Sequence, residues 1–246
     1  MLKSLDNALS LLRFFDLSHH AWGVRELALA ANMSSSSVQR ILATLAAHQF
    51  LSKDAQTHKY HLGIRCLELG NIVQQQVGFR DVIRPFMQDL NNLTDETVFL
   101  YWHDGESAIC IDILESTQAL KFSTHIGSKI PIGSITFALP LLAFQPAEVT
   151  AKYAPKNKIQ SKNYFKAVAQ INKTGCAYSS GEYLEGVHGL SVPLLNSQGI
   201  AQGLLCIAGP INRFSKEEYL VFKPQMQAIA QKIMSLIKPY LECILR

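Results

Sequence analysis

The clearest pattern of apolar and polar positions lies between residues 24 and 48, and it predicts two short helices joined by a turn. The first helix covers Val24 to Ala31, Asn32-Met33 forms the turn, and the second helix covers Ser34 to His48. At about 100° per residue, the second helix gathers apolar side chains on one stripe with the spacing of a buried face. This stripe consists of Val38, Ile41, Leu42 and Leu45. The pattern is typical of a helix-turn-helix.

The opposite face of the second helix is unusual for a solvated surface, which normally carries Lys and Glu. It presents small residues, a hydroxyl, an amide and a guanidinium, namely Ser36, Gln39, Arg40, Ala43 and Ala47. Small residues permit a close approach to the major groove, where Gln bonds adenine and Arg bonds guanine in a bidentate manner. We therefore expect Gln39 and Arg40 to contact base edges, and Ser36 and Ser37 to contact bases or backbone.

Two short strand-like runs follow, and they predict the hairpin of a wing. Phe50 to Lys53 and Tyr60 to Leu62 are separated by the polar stretch Asp54 to Lys59. Ahead of the motif, we expect Ser4 to cap a helix whose buried stripe is Leu5, Ala8, Leu9 and Leu12. Phosphate contacts, which position the protein without reading sequence, are expected from Arg25, Ser35, Lys53, His58 and Lys59. The alternative interpretation is a plain three-helix bundle with a solvated serine face.

The pattern changes after the wing. Ile64 to Gln76 is predicted as a helix with Ile64, Leu67, Ile72 and Val73 as contact residues, and Asp81 to Leu93 as another. Strands are predicted at 97–102, 108–114, 120–124, 176–179, 189–195 and 202–208, helices at 135–144, 146–153 and 164–173, and a loop at 125–134. The pair Ser215 and Glu218 reads as a capping box opening a final helix, which packs through Met226, Ile229, Ala230, Ile233 and Ile237. This order predicts an α+β domain with one antiparallel sheet.

The composition indicates a globular protein of ordinary charge, but it does not by itself indicate a function. The 246 residues suggest two domains, and 48% hydrophobic with 17% charged residues is ordinary for a globular protein. The net charge of +4 is mild, and residues 1–76 hold seven Lys/Arg against five Asp/Glu, a net of +2. Five scattered cysteines without a CxxC pair argue against disulfides and favour a reducing cytoplasm. The sequence shows neither a signal peptide nor an apolar run of about 18 residues, so we expect no export and no membrane insertion.

One cluster invites an enzymatic or metal-binding interpretation. Glu182, Glu185 and His188 are close in sequence, and His125 and Asp112 are candidates to join them. A Glu–His cluster suits acid–base work or a metal. However, the sequence contains no HExxH, GxSxG or Gly-rich phosphate loop to support either. We therefore expect no catalytic residues, no metal and no cofactor, and we expect Glu182 and His188 to make structural hydrogen bonds.

The whole arrangement resembles the IclR family of bacterial transcription regulators. The resemblance is carried by MSSSSVQRILATLAAHQFLSKDAQTHKYHLG (residues 33–63), HIGSKIP (125–131), TGCAYSSGEYLEGVHGLSVP (174–193) and CIAGPINRF (206–214). It implies an N-terminal winged helix-turn-helix at 1–63, a linker helix at 64–79 used in dimerisation, and a GAF-like effector-binding domain at 80–246. It further implies a homo-oligomer, either a dimer or a dimer of dimers, that binds a double-stranded DNA operator and senses a small organic molecule.

Departures from the family pattern bear on the effector. Phe137 stands where a small residue is usual, Leu139 replaces a lysine, and Ser179 replaces a common Asp. The expected effector-binding residues are Phe122, Ile130, Phe137, Ser179, Val187, Gly189, Cys206 and Ala208. Two alternatives follow: an apolar pocket that takes an apolar or aromatic ligand, or a pocket filled by Phe137 with weakened sensing. A glyoxylate-like acid is disfavoured, because burying an unpartnered carboxylate is costly.

The function predicted from these observations is an operator-binding transcriptional regulator modulated by a small organic effector. The alternative is a small-molecule-binding protein whose regulation of DNA has lapsed or acts indirectly through protein contacts.

Overall fold

The structure is a computed structural model that describes residues 2–16, 18–77, 79–133 and 135–244. Contacts within the chain divide it into two compact units, Met1–Val77 and Gly78–Arg246. The finer division into a winged helix, a linker helix and an effector domain stays a prediction. Among the described residues, no helix is both long and apolar enough to cross a membrane.

The first unit is a helical domain closed by a small sheet. Its elements are α1 Lys3–Leu12, β1 Ala21–Trp22, α2 Val24–Ala30, α3 Ser35–Ala47, β2 Leu51–Lys53, β3 Tyr60–Leu62 and α4 Ile64–Val77. The predicted helix-turn-helix and the predicted hairpin are therefore present. The two-residue strand β1 was not predicted, and it pairs with β3 to give the antiparallel order β1-β3-β2.

The core of the first unit confirms the stripe on α3 and corrects the one on α1. Val38 and Leu42 are fully buried, with Ile41 and Leu45 packed against them. On α1, Leu5 and Leu9 are 56% and 55% exposed, whereas Leu11 is 0% exposed. Leu11 and Phe15 fill the core, so the helix is rotated from the predicted orientation. Ser4 is also not the cap, because Leu2 holds that position and makes no side-chain cap bond.

A glycine lets α4 begin directly against β2. A Cβ atom added to Gly63 would lie 2.1 Å from the carbonyl oxygen of Gln49. The Gly63 N–H donates to the Phe50 oxygen at 2.7 Å, and the Arg65 N–H donates to the Gln49 oxygen at 3.1 Å. This close approach explains why the residue that follows β3, at position 63, is a glycine.

The second unit is α+β, as predicted. Its elements are α5 Phe79–Thr94, β4 Thr97–His103, β5 Ser107–Leu114, β6 Lys129–Pro131, a 3-10 turn Thr136–Ala138, α6 Pro140–Ala143, α7 Ala147–Lys152, α8 Lys158–Thr174, β7 Ala177–Ser180, β8 Val187–Leu195, β9 Ala201–Pro210 and α9 Lys216–Ile244. The six strands form one antiparallel sheet in the order β6-β5-β4-β9-β8-β7. One face packs against α5 and α9 and the other against the 3-10 turn, α6 and α8.

Four predicted elements of the second unit were wrong in detail. The helix predicted at 135–144 is a 3-10 turn at 136–138 followed by the short helix α6. Residues 120–124 form no strand. The Thr97 hydroxyl donates a hydrogen bond to the Phe122 carbonyl at 2.6 Å, and the Phe122 side chain is buried. The strand β6 instead lies within the predicted loop 125–134. Helix α8 begins six residues earlier than predicted, since Asn157 caps it by accepting from the Ile159 and Gln160 amides.

The final helix begins as predicted. The Ser215 N–H donates to Oε2 of Glu218 at 2.6 Å, and the Glu218 N–H donates to Oγ of Ser215 at 3.3 Å. Together these reciprocal bonds form the capping box. Met226, Ala230, Ile233 and Ile237 are buried and Ile229 packs against the same cluster, so α9 covers one face of the sheet.

Candidate DNA-binding surface and effector pocket

The start of α3 is organised by its serines. Ser34 is the N-cap residue, and its Oγ accepts from the Ser37 N–H at 3.3 Å and donates to the Ser37 hydroxyl at 2.8 Å. The Ser34 and Ser36 hydroxyl oxygens are 3.3 Å apart. Ser35 and Ser36 remain exposed. The helix therefore starts one residue later than predicted, with its first turn fixed by local hydrogen bonds.

Gln39 and Arg40 lie on the exposed face of α3, as the helical spacing predicts. Neither side chain makes a hydrogen bond or ion pair within the described part of the chain, which leaves both available to a partner. Arg40 also borders a groove of about 500 Å³ between α1 and α3, lined in part by Leu5 and Thr44. The arrangement offers a bidentate amide and a guanidinium on a helix with small neighbours, which suits the major groove.

The wing is built around Asp54. Its Oδ1 accepts from the Gln56 amide at 3.0 Å and from the Thr57 amide and hydroxyl at 2.6 and 2.8 Å. These bonds, those from Thr57 above all, lower the pKa of Asp54. They hold the tight turn in which His58 adopts a φ of +57° and leave its side chain exposed.

Two lysines of the wing already contact other side chains of the first unit. Lys59 Nζ lies 3.1 Å from Oε1 of Glu26 in an exposed ion pair, and Lys53 Nζ lies 5.6 Å from the ring centre of Tyr60. Glu26 also accepts from the Gly23 N–H at 2.9 Å. Exposed pairs of this kind contribute at most about 1 kcal/mol, so a phosphate can replace Glu26 at Lys59. Arg25 is exposed on α2.

The residues expected around an effector surround one small cavity beside the sheet. It is lined by Phe99, Tyr101, Phe122, Ile130, Phe137, Ser179, Tyr183, Leu184, Val187, Gly189 and Ala208. Cys206 is fully buried but does not line it; it pairs with Phe99, whose ring does. The alternation along β4 could have identified Phe99 and Tyr101, whereas Tyr183 and Leu184 lie in a loop without periodicity.

The ring of Phe137 forms part of the wall of this cavity, which has little free space. The free volume is about 20 Å³, which is room for about one water molecule. The ring stacks on Phe99 with centres 5.6 Å apart, and a Cβ on Gly189 would lie 2.9 Å from it. The Ser191 hydroxyl donates to the Phe137 carbonyl at 2.7 Å. The 3-10 turn is thus anchored with its aromatic side chain inserted above Gly189.

The lining of the cavity is uncharged. Its polar side chains are the hydroxyls of Tyr101, Ser179 and Tyr183. Burial raises the pKa of Tyr101 despite its hydrogen bonds with Ser128 and Thr124, so its hydroxyl stays protonated. Desolvation likewise raises the pKa of Cys206. A ligand here would meet aromatic rings and hydroxyls but no ionised group.

The candidate metal or acid–base cluster is spread over separate hydrogen-bond networks. His188 is buried, with Nδ1 2.7 Å from both the Tyr178 hydroxyl and the Phe214 carbonyl and Nε2 2.9 Å from Oγ of Ser180. Glu182 accepts from the Thr136 N–H at 3.2 Å. No group of three His, Cys, Asp or Glu side chains is placed to hold a metal within the described residues. Glu182 and His188 thus make structural hydrogen bonds beside the cavity.

Asp112 belongs to a third network, in which it is almost fully buried between two arginines. Its carboxylate lies 3.1 Å from Arg80 Nη2 and 3.3 Å from Arg84 Nε. Both arginines lie on α5 and Asp112 on β5. The carboxylate therefore ties the helix to the sheet and is not aimed at the cavity.

An exposed helix with a wing in one unit, and a small ring-lined cavity in the other, fit the class of DNA-binding regulators that carry a ligand-binding domain. The family models agree: the IclR helix-turn-helix domain matches residues 4–55, and the bacterial transcriptional regulator IclR C-terminal domain matches residues 72–235. The chain belongs to the IclR family. It is a transcriptional regulator with a helix-turn-helix DNA-binding domain and a C-terminal ligand-binding domain.

Individual relatives cover nearly the whole chain. The HTH-type transcriptional regulator KipR of Bacillus subtilis is 27% identical over 238 residues, which is 92% of this chain and 94% of KipR. An IclR regulator from Silicibacter sp. TM1040 has a TM-score of 0.87 at 21% identity, covering 95% and 96% of the two chains. An IclR homologue from Microbacterium hydrocarbonoxydans, solved with 4-hydroxybenzoate, has a TM-score of 0.74 at 18% identity, covering 96% and 99%.

Proposed function

We propose that the chain binds its operator by placing α3 in the major groove, with Gln39 and Arg40 on base edges and Ser36 and Ser37 on bases or backbone. The observation that carries this proposal is that Gln39 and Arg40 are exposed, with no partner among the described residues, on a helix whose other face is core. Phosphate contacts come from Arg25, Ser35, Lys53, His58 and Lys59.

The active species is proposed to be a homo-oligomer, either a dimer or a dimer of dimers. The described part of α4 exposes Ile64, Leu67, Ile72 and Val73, and α1 exposes Leu2, Leu5 and Leu9. Apolar side chains exposed together in this way mark an interface more often than a free surface. A second copy would cover them and would double the number of phosphate contacts. Operator binding and the free thiols of the described cysteines fit the cytoplasm of a bacterial cell.

Arg40→Ala tests the operator proposal. Fluorescence anisotropy compares a duplex from the DNA upstream of the protein's own gene with a scrambled duplex. Losing a bidentate base contact should weaken specific binding by about 1–3 kcal/mol and leave the scrambled duplex almost unaffected. Lys59→Ala is the matched control, since losing a phosphate contact should weaken both duplexes alike. Equal losses from Arg40→Ala on both duplexes would remove Arg40 from the base contacts.

The effector is proposed to be a small apolar or aromatic molecule that takes the place of the Phe137 ring. The uncharged, ring-lined cavity supports this class. The Microbacterium homologue was solved with 4-hydroxybenzoate, which is aromatic, but the carboxylate of that ligand would have no charged partner among the residues that line this cavity. Because the cavity is almost full, ligand binding would require the 3-10 turn to move. The cost of that opening reduces the apparent affinity.

The second candidate function, a regulator whose sensing is lapsed, is favoured by the same observation of a filled cavity. Calorimetric titration of the wild type and of Phe137→Ala with phenol and 4-hydroxybenzoate separates the two. Binding to both proteins supports a sensor that opens. Binding to the variant alone indicates a pocket that Phe137 has closed, and binding to neither removes the aromatic ligand class.

A further inference from the structure

Helix α8 carries a stripe of lysines, here called the α8 stripe: Lys158, Lys162, Lys166 and Lys173. At about 100° per residue these positions fall within an arc of about 80°. All of them are exposed, whereas Tyr164 and Ile171, on the opposite side, are buried against the sheet. The helix contains no Asp or Glu. The charged residues on its outer face are therefore all basic.

The α8 stripe is not used to hold the domain together. The other cations of the second unit include Arg80 and Arg84, which pair with Asp112, and Arg213, which binds Glu96 at 2.9 Å. In contrast, the α8 lysines form no ion pair among the residues that the structure describes. Lys152 and Lys156 precede them, so residues 152–173 contain six lysines and no acidic residue.

We propose that the α8 stripe is a second DNA contact, which binds the phosphate backbone without reading sequence. This inference rests on the proposed function, because it requires that the full chain binds DNA. The stripe extends about 22 Å along the helix, which matches about six to seven base pairs of duplex. Lysine is a flexible point charge suited to phosphate, and α8 has no arginine for bidentate base contacts.

Charge favours DNA over other polyanions. Residues 1–76 hold seven Lys/Arg against five Asp/Glu, a net of only +2, so the winged helix offers little charge for binding phosphates. An anionic membrane would need an apolar face for insertion. Most apolar side chains of α8 are buried or half-buried, and the two large ones that remain exposed, Ile159 and Phe165, are too few to form such a face.

The test uses the full chain and measures DNA affinity against salt for the upstream duplex and the scrambled duplex. The test variant is Lys162→Gln/Lys166→Gln, and the matched control is Lys129→Gln/Lys232→Gln, which removes two exposed lysines elsewhere in the same unit. Each lost phosphate contact lowers the slope of log affinity against log salt by about 0.9. Because the test variant loses two such contacts, the steepness of its log affinity against log salt should be lower by about 1.8 on both duplexes.

In practical terms, a four-fold rise in salt should weaken the wild type about ten-fold more than the test variant. The ratio of specific to scrambled binding should stay unchanged, and Lys162→Arg/Lys166→Arg should retain the wild-type slope. An unchanged slope in the test variant, or an equal decrease in the control, overturns the proposal. Loss of binding to phosphatidylglycerol vesicles with an unchanged DNA slope would overturn it in favour of a membrane surface.

The two proposals fail in different ways. If the upstream duplex is not preferred over the scrambled one, the operator proposal fails, while the slope on the scrambled duplex still reports on α8. If the slope does not depend on Lys162 and Lys166 but Arg40→Ala still removes the preference, only the α8 proposal fails.

Discussion

The exposed face of α3 and the cavity of the second unit differ in how ready they are for a partner. On α3, Gln39 and Arg40 are exposed and have no partner within the part of the chain that the structure describes, and the first turn is fixed by the Ser34 cap. In the cavity, the ring of Phe137 already occupies the space between Phe99 and Gly189. The DNA-binding surface is thus formed before DNA arrives, whereas the sensing site must open first.

This difference has an energetic consequence for regulation. A surface whose backbone is already in place loses mainly side-chain freedom on binding, about 0.5–1.5 kcal/mol for each long side chain that becomes ordered. A ligand that must displace Phe137 loses part of its binding free energy to the opening of the cavity. Operator binding should therefore be robust to small changes in the protein, while effector binding should be sensitive to any substitution that shifts Phe137.

Phe137→Ala should have the largest effect on stability. Truncating a buried Phe typically costs about 3–5 kcal/mol because of lost contacts and the cavity left behind. The chain has two tryptophans, Trp22 in the first unit and Trp102 in the second. Urea unfolding in a Trp22→Phe background therefore reports on the second unit alone. We expect a lower midpoint with a partial recovery on adding phenol.

Leu142→Ala is the matched control for that measurement. Leu142 is fully buried in the same cluster but does not line the cavity. Its variant should lose comparable stability without recovery by phenol. If phenol restored both variants equally, the recovery would be a general solvent effect and the comparison between α3 and the cavity would lose its basis.

The sequence predicted the exposed face of α3 from helical spacing and much of the cavity lining from the family resemblance, but it missed Phe99 and Tyr101 on β4. Helical spacing placed Val38 and Leu42 in the core and Arg40 outside it. On β8, the family resemblance placed Val187 and Gly189 at the cavity. The periodicity of a helix or strand determines which face a residue occupies, and that information is local.

What the sequence did not predict depends on distant contacts. Leu120 and Phe122 alternate as in a strand, but Arg213 donates to the Leu120 carbonyl at 2.7 Å and Thr97 holds the Phe122 carbonyl. These partners lie far away in the chain, so no local pattern indicates them. Likewise, the rotation of α1 is set by where Leu11 meets the core. Tyr183 and Leu184 reach the cavity mouth from a loop.

Ser34→Ala sharpens the comparison by testing whether the α3 surface depends on its cap. Removing an N-cap hydroxyl typically costs about 1 kcal/mol, and the loss should appear in the first unit only. Trp22 fluorescence in a Trp102→Phe background measures it during urea unfolding. Ser35→Ala is the control, because Ser35 is exposed and is not the cap. Equal midpoints for the Ser34 and Ser35 variants would show that the hydrogen bonds of Ser34 do not stabilise the first turn.

The smallest expected effect concerns His103, at the end of β4. Its ring is half-buried, and Nε2 has no hydrogen-bond partner among the described residues. Burial lowers the pKa of His103 below its ordinary 6.5, with the neighbouring Asp104 carboxylate opposing the shift. As the pH falls through 6.5, His103 is therefore protonated in the unfolded chain while it is still neutral in the folded chain. The second unit should lose stability from this point down to the pKa of the folded state.

Replacing His103 isolates this contribution. His103→Leu should lose less stability than the wild type between pH 7.5 and pH 5.5, measured by Trp102 fluorescence in the Trp22→Phe background. His125→Leu, which removes an exposed histidine of the same unit, is the comparison variant. A variant at position 103 that kept the full pH dependence would mean that the ring is hydrated in solution. The second unit would then be more open to water near β4 than the closed cavity implies, which would weaken the contrast with α3.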